Sequence, residues 1–434
     1  MKRFAAAAAA LLTMMLAAHA VAATGKEKWV AVWTGSGHGP YPAGNAVAQP
    51  DLRDVLRGNV ASDQTMRMIV RPALWTHRVR LRFSNAFGSV PLSIDGVYAG
   101  VHAFGGALQP GTNREVRFSG RTGAVIAPGA LIVSDPVDLN YVKNAADFAG
   151  RKMAVSFHIA GDSGPLTWHA KAMSTSYLSA ASGGSHGAEE SADAFPFTTT
   201  SWFVVDAIEA VTPPSTRVVM GFGDSITDGT NSTINGDDRW PDFLAARVRN
   251  LPGGPVVVVN AGIGGNRIIG PAAYDKANPF SGGPAALDRL ERDVLSLAGI
   301  DTVIWLEGIN DLGAPGESAS AIIEGFRKGV ERMKKKGIRV IGATVTSALT
   351  ATSASGTADV DRRRREVNDF IRSGGLFDAV ADFDAATLDS NTGALKGAYQ
   401  PNSSIGGAGD KLHPNRAGYQ AMANSIDLKT LFAP

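Results

Sequence analysis

The chain contains no cysteine. That excludes a thiol nucleophile, disulfide bridges and any metal site built on thiolates. No HExxH or paired-histidine spacing points to zinc either. Charge is scarce: Asp, Glu, Lys and Arg make up 19% of 434 residues, too few for a chain held disordered by its charge. After the first two dozen residues, no apolar run is long enough to span a bilayer.

What is present is glycine, at 50 residues, and a hydrophobic content of 44%. This composition suits a loop-rich globular protein of two domains whose core needs no disulfides. Residues 1–23, MKRFAAAAAALLTMMLAAHAVAA, read as a signal peptide. Lys2 and Arg3 form its charged start, residues 4–16 its apolar centre, and Ala-Val-Ala at 20–22 a small-residue cleavage site. The expected location is periplasmic or extracellular, without stable membrane insertion once this segment is removed. Its loss takes Lys2 and Arg3 and no acid, so the formal charge of +2 falls to zero. A neutral chain argues against nucleic acid or an anionic membrane as partner.

Two patterns follow. Residues 24–210 carry short β-rich runs bounded by Gly, Pro, Asn or Asp, among them WVAVWT, HRVRLRF, VPLSIDGVYAG, GALIVSDPVDL and RKMAVSFHIAG. Arg78, Arg80 and Arg82 alternate with Val79, Leu81 and Phe83, which predicts a strand with one wet face. This half reads as a β-sandwich of jelly-roll type, with Trp33, Trp75 and Trp202 in its core. Residues 211–434 alternate fully apolar strands (RVVMGF, GPVVVVNAG, DTVIWLEG, IRVIGATVT, FDAVADF) with helical segments at 240–249, 284–297, 319–336, 361–372 and 415–426. That alternation predicts a parallel sheet with helices on both faces. In such sheets, ligands bind beyond the carboxyl ends of the strands.

Polar clusters stand at those ends. The first strand runs into Gly223-Asp224-Ser225, and the second into Asn260, Gly262, Gly264, Gly265 and Asn266. The third leads to Gly308, Asn310 and Asp311, and near the C-terminus come Asp410 and His413. Ser225 is either part of an ordinary strand-to-helix turn or a nucleophile. A nucleophilic serine needs a base, and a histidine base needs an acid to fix its tautomer. Of the eight histidines, only His413 has an Asp three residues before it. A tetrahedral oxyanion needs donors already in place. The backbone N–H groups of Ser225 and Gly265 and the side-chain amide of Asn310 can serve.

These four blocks, in this order over residues 217–427, resemble the SGNH (GDSL-type) hydrolase family. The resemblance implies a flavodoxin-like three-layer α/β/α fold. It also implies Ser225 as nucleophile, Asp410 and His413 as the acid–base pair, and Ser225, Gly265 and Asn310 as the oxyanion hole, with no metal or cofactor. RLRFSNAFG, TWHA and FPFTTTSWF resemble pieces of the N-terminal β part of bacterial members. The expected activity is that of a secreted serine esterase removing acyl groups, acetyl foremost, from a small ester or an acetylated carbohydrate. The alternatives are a lysophospholipase, a broad short-chain carboxylesterase, or a non-catalytic glycan-binding protein.

Other motifs read as structure. A second Gly-Asp-Ser at 161–163 is followed by Gly164-Pro165 and predicts a turn. The α/β-hydrolase elbow G-x-S-x-G fails at Thr227. GIGGNRIIG lacks the Lys-Ser/Thr ending of a phosphate loop. Arg362–Arg365 predicts a solvated helix face. Trp168 and His169 are expected in a core or interface, with lining of the substrate site as the other reading.

Overall fold

The computed structural model describes residues 27–44 and 52–432; the expected signal peptide at 1–23 lies outside them. Among the described residues, no helix is long and apolar enough to cross a membrane.

The first half is built from antiparallel sheets. One has five strands: Lys28–Thr34, Val205–Thr212, Arg78–Ser84 and Leu131–Val133 in order, with Val137–Asp138 also paired to Arg78–Ser84. Another has seven and centres on Ser62–Val70, Met153–Asp162 and Leu92–Val101. Trp168–His169 and Trp202–Phe203 form a separate two-stranded pair. Trp33, Trp75 and Trp202 are buried in the core, as their apolar bulk predicts.

The second half is a parallel sheet of five strands. Their spatial order is Val256–Gly262, Arg217–Gly223, Thr302–Leu306, Arg339–Ala343, Ala379–Ala381. In chain order this is 2-1-3-4-5, the flavodoxin-like arrangement. Alternate side chains of each strand serve opposite layers. Val219, Val258, Ile304, Leu306 and Ile341 pack with Trp240, Leu244, Tyr419 and Met422 from helices Trp240–Val248 and Arg416–Ser425. Val218, Met220, Phe222, Val303 and Trp305 pack on the other face with Leu290, Phe326, Val330 and Val367. Helices Ala319–Lys335 and Ala358–Ser373 close that face. Each such aliphatic or aromatic side chain contributes about 1.5–3 kcal/mol on burial, so both layers are held by their cores. The helix expected over 284–297 is shorter: Ala286–Leu290 continues as a wider π-type turn over Glu291–Leu295.

Two charged runs depart from expectation. Arg82 is buried, because Asp206 on the neighbouring strand accepts from Nε and Nη2 at 2.8 and 3.1 Å. Its guanidinium also donates across to Ser296 and to the Arg292 carbonyl, both at 3.2 Å. The arginine face of that strand is thus partly covered by the α/β half. In the run 362–365, Arg364 is buried and paired with Asp361 and Asp384, while Arg362 and Arg365 remain exposed.

The two halves are firmly joined. Ala31 N–H donates to the Ala298 carbonyl at 2.8 Å, and Ala298 N–H to Glu209 at 3.1 Å. Thr34 donates to the Asn260 carbonyl at 2.6 Å, and Arg292 to the Gly37 carbonyl at 2.7 Å. Two of these groups, Glu209 and Arg292, are charged and largely shielded from water, where an unpartnered charge is costly.

Candidate active site

The strand Arg217–Gly223 delivers Ser225 through a tight turn. Asp224 caps the short helix Ser225–Asp228 by accepting from Ile226 N–H at 2.9 Å. Gly229 ends it in the left-handed region, at φ 102°. Gly223 has a different reason: a Cβ there would lie 2.0 Å from the Leu306 carbonyl oxygen on the adjacent strand. The glycines framing the serine let the turn press against the sheet.

His413 reaches Ser225 from the other end of the chain. Ser225 Oγ lies 2.7 Å from His413 Nε2, and His413 Nδ1 lies 2.5 Å from Asp410 Oδ2. The three-residue spacing follows from a local turn. Asp410 Oδ1 accepts from the backbone N–H of Leu412 and of His413, at 3.0 and 2.9 Å. The carboxylate therefore shapes the loop that presents the ring. Asn415 then caps helix Arg416–Ser425, and Asn231 Nδ2 donates to the His413 carbonyl at 3.2 Å.

The electrostatics follow from burial and pairing. Burial pushes the His413 ring down from its ordinary value, against the pull of Asp410. Burial alone would raise the Asp410 carboxyl. The hydrogen bond and charge of His413, with the two backbone donors, outweigh it and hold Asp410 well below the carboxylate range. Beneath the site, burial pushes Asp224 up to about 7, Glu307 up to about 8 and Asp311 up to about 6. Arg289, itself buried, donates to the Gly223 and Ala261 carbonyls and to Asn266 Oδ1 at 2.8, 2.8 and 2.6 Å. It ties the first and second strand ends together.

The three N–H groups expected to meet an oxyanion have these surroundings. Ser225 N–H begins a helix and has no intrahelical partner. Gly265 has φ 81°, and no described residue accepts from its N–H. Gly264 N–H, by contrast, is committed to Asp228 Oδ2 at 3.0 Å. Asn310 lies in the first turn of the helix Ile309–Leu312, and its Nδ2 donates one hydrogen to the Asn266 carbonyl at 2.9 Å, leaving the second without a partner among the described residues. Asp311 steadies the same loop by accepting from Ile268 and Ile269 N–H, at 2.9 and 3.1 Å.

The second Gly-Asp-Ser has no such surroundings. Ser163 is buried, accepts from Ala61 N–H at 3.0 Å and donates to the Gly164 carbonyl at 2.6 Å. Gly161 and Asp162 end the strand Met153–Asp162 and Ser163 follows it, so the motif is a strand end where a turn was expected.

Trp168 and His169 do not line the substrate site. Trp168 is 1% exposed, donates to the Ala43 carbonyl and packs on Tyr41 and Phe203. It belongs to the core of the β half. His169 is 3% exposed and bonds to Asp228 across the junction. A residue of that segment that does reach the α/β half beside the second-block loop was not singled out from the sequence. Lys171 is buried, donates to Thr230 Oγ1 at 2.9 Å and passes beside Gly264. Nothing in a lone lysine of a β segment signals a contact 59 positions away.

Fold and geometry define a class: a doubly wound α/β protein with a serine, a histidine and an aspartate hydrogen-bonded at the carboxyl end of its sheet. Residues 222–421 match the family model described as GDSL-like Lipase/Acylhydrolase family, and this α/β part of the chain belongs to that family. It is a hydrolase domain of the esterase/acylhydrolase type. No curated protein matches the sequence. Among solved structures, the chain is similar to an acetylxylan esterase from Geobacillus stearothermophilus, at 20% identity over 50% of this chain and 94% of that one, TM-score 0.36. It is also similar to the aryl esterase of M. smegmatis, at 16% identity over 50% and 100%, TM-score 0.37. A lipase/acylhydrolase from Enterococcus faecalis aligns at 20% identity over 48% and 93%, TM-score 0.36.

Proposed function

We propose that this protein is a secreted serine esterase that hydrolyses short acyl esters through an acyl-enzyme. The observation that carries the reading is the continuous hydrogen-bonded chain from Ser225 Oγ through His413 to Asp410. Ser225 Oγ attacks the ester carbonyl while His413 Nε2 takes its proton. The negative charge that develops on the carbonyl oxygen is met by the N–H groups of Ser225 and Gly265 and by Asn310 Nδ2. That Gly264 N–H is already spent on Asp228 supports Gly265 as the second-block donor. His413 then gives its proton to the departing alcohol. Water repeats the sequence on the acyl-enzyme, with His413 again as base and Ser225 as leaving group.

The substrate class follows from two further points. Ser225 is 4% exposed, which favours a short acyl group over a long chain. The expected export and the added β half favour an O-acetylated carbohydrate as the alcohol part. A fluorophosphonate probe tests the chemistry: it should label Ser225 and leave Ser163 untouched, and Ser225→Ala should abolish turnover of p-nitrophenyl acetate. Labelling at Ser163, or turnover surviving in Ser225→Ala, refutes the assignment. Acetylated xylan, acetylated pectin and a lysophospholipid, compared at equal ester concentration, test the substrate. Preference for the phospholipid would replace the carbohydrate reading.

A further inference from the structure

The contact between His169 and Asp228 joins the two halves through side chains that are both buried. His169 Nδ1 lies 2.8 Å from the Ser36 carbonyl oxygen, and Nε2 lies 3.0 Å from Asp228 Oδ1. A carbonyl oxygen can only accept. Asp228 can only accept while it is a carboxylate, and Arg239 and Lys171 both stand by to keep it one. Both ring nitrogens of His169 must therefore carry hydrogen, so the ring is an imidazolium buried between the halves.

Asp228 uses its other oxygen on the catalytic side. Oδ2 accepts from Gly264 N–H at 3.0 Å, and Asp228 is the last residue of the turn that begins with Ser225. One carboxylate thus holds the nucleophile turn, the second-block loop and the β half in register. Gly265, whose free N–H follows directly, is fixed by that anchor.

We infer that His169 is a positioning residue for the esterase proposed above: as an imidazolium, it clamps Asp228 and thereby aims the Gly265 N–H at the oxyanion. The β half then contributes to the chemistry without touching substrate. The charged groups around the ring are consistent with this. Burial pushes the ring's pKa down, but the charge and hydrogen bond of Asp228, with the Ser36 carbonyl, outweigh it and raise the ring above its ordinary value. Arg239 opposes this from the α/β half. His38, with its ring centroid 6.0 Å away, is held neutral by burial, which pushes it down to about 3. Lys171, next to Asp228, is also pushed down by burial. As pH rises through the raised value of His169, the cation and its grip on Asp228 are lost together.

The test uses the full chain. In the unaltered protein, ¹⁵N shifts of the His169 ring at pH 7.5 should be those of an imidazolium; a neutral ring overturns the inference whatever any variant does. In His169→Gln, kcat for p-nitrophenyl acetate should fall by about 10- to 100-fold, the cost of a misplaced catalytic group, with KM within about twofold. The alkaline decline of the wild-type pH profile should be missing from this variant. Unchanged kcat in a folded variant, or a loss confined to KM, overturns the inference. Ser225→Ala separates the two readings. If it retains turnover, the esterase assignment fails. If it is inactive while His169→Gln runs at full rate, only the role of His169 fails.

Discussion

Asn310→Ala isolates one donor with little collateral change. The side chain is half-buried at the start of a short helix, and its single observed hydrogen bond goes to the Asn266 carbonyl. Losing that bond should not release the loop. Asn266 is independently held by its own Nδ2, which donates to the Gly282 and Pro284 carbonyls at 2.7 Å each, and by Arg289. Ile268 and Ile269 remain tied to Asp311. The fold should therefore persist, and two of three oxyanion donors should stay in place. Removing one such donor costs about 10²–10³ in kcat, or about 2.7–4 kcal/mol of transition-state stabilisation. The ground-state carbonyl carries less charge than the tetrahedral oxyanion, so KM should move much less. Steady-state hydrolysis of p-nitrophenyl acetate, with a thermal melt to check folding, measures both. A variant that melts like wild type and loses only KM would make Asn310 a substrate-binding residue and refute the oxyanion geometry.

Three further outcomes are expected. Burial lowers His413, so the ring stays neutral and able to accept the Ser225 proton further into acid; kcat/KM should rise with pH about a midpoint below the ordinary 6.5, and a midpoint above 7 contradicts this. In Asp410→Asn the side-chain oxygen can keep its two backbone donors, which turns the amide N–H toward His413 Nδ1 and enforces the wrong tautomer; kcat should fall by about 10⁴ with the loop intact, and a loss under tenfold would count against the triad. Gly223→Ala drives a methyl into the Leu306 carbonyl, so the melting temperature and activity should drop together, and wild-type behaviour would show that the strand–turn junction is looser than described.

The four blocks were legible in the sequence because each is largely a local device. An Asp that caps its own turn presents a histidine three residues on, and a glycine is needed where the serine turn meets its neighbour. The parallel strands were legible because both of their faces are apolar. The choice of Gly265 over Gly264 was not decidable from sequence, since it depends on which N–H Asp228 consumes. Strand Ser62–Val70 was missed: its Gln64, Thr65 and Arg67 are buried, so no apolar alternation marks it. Arg82 and Arg364 were read as wet for the complementary reason. Periodicity reports which side a residue faces, and only the partner across the gap decides whether that side meets water. The contacts of His169 and Lys171 likewise depend on how the halves dock.

All four blocks lie within the α/β half, which makes it look like a cassette that could be cut out and moved. The seam between the halves argues otherwise. Without the β half, Asp228 would lose His169 and Lys171, and Arg292 would lose the Gly37 carbonyl. Residues 211–434 expressed alone would expose charged groups that now lie paired at the junction. Recombination of this hydrolase with a different accessory domain would have to bring along a replacement for that seam, so the halves are expected to travel through evolution, and through protein engineering, as one unit.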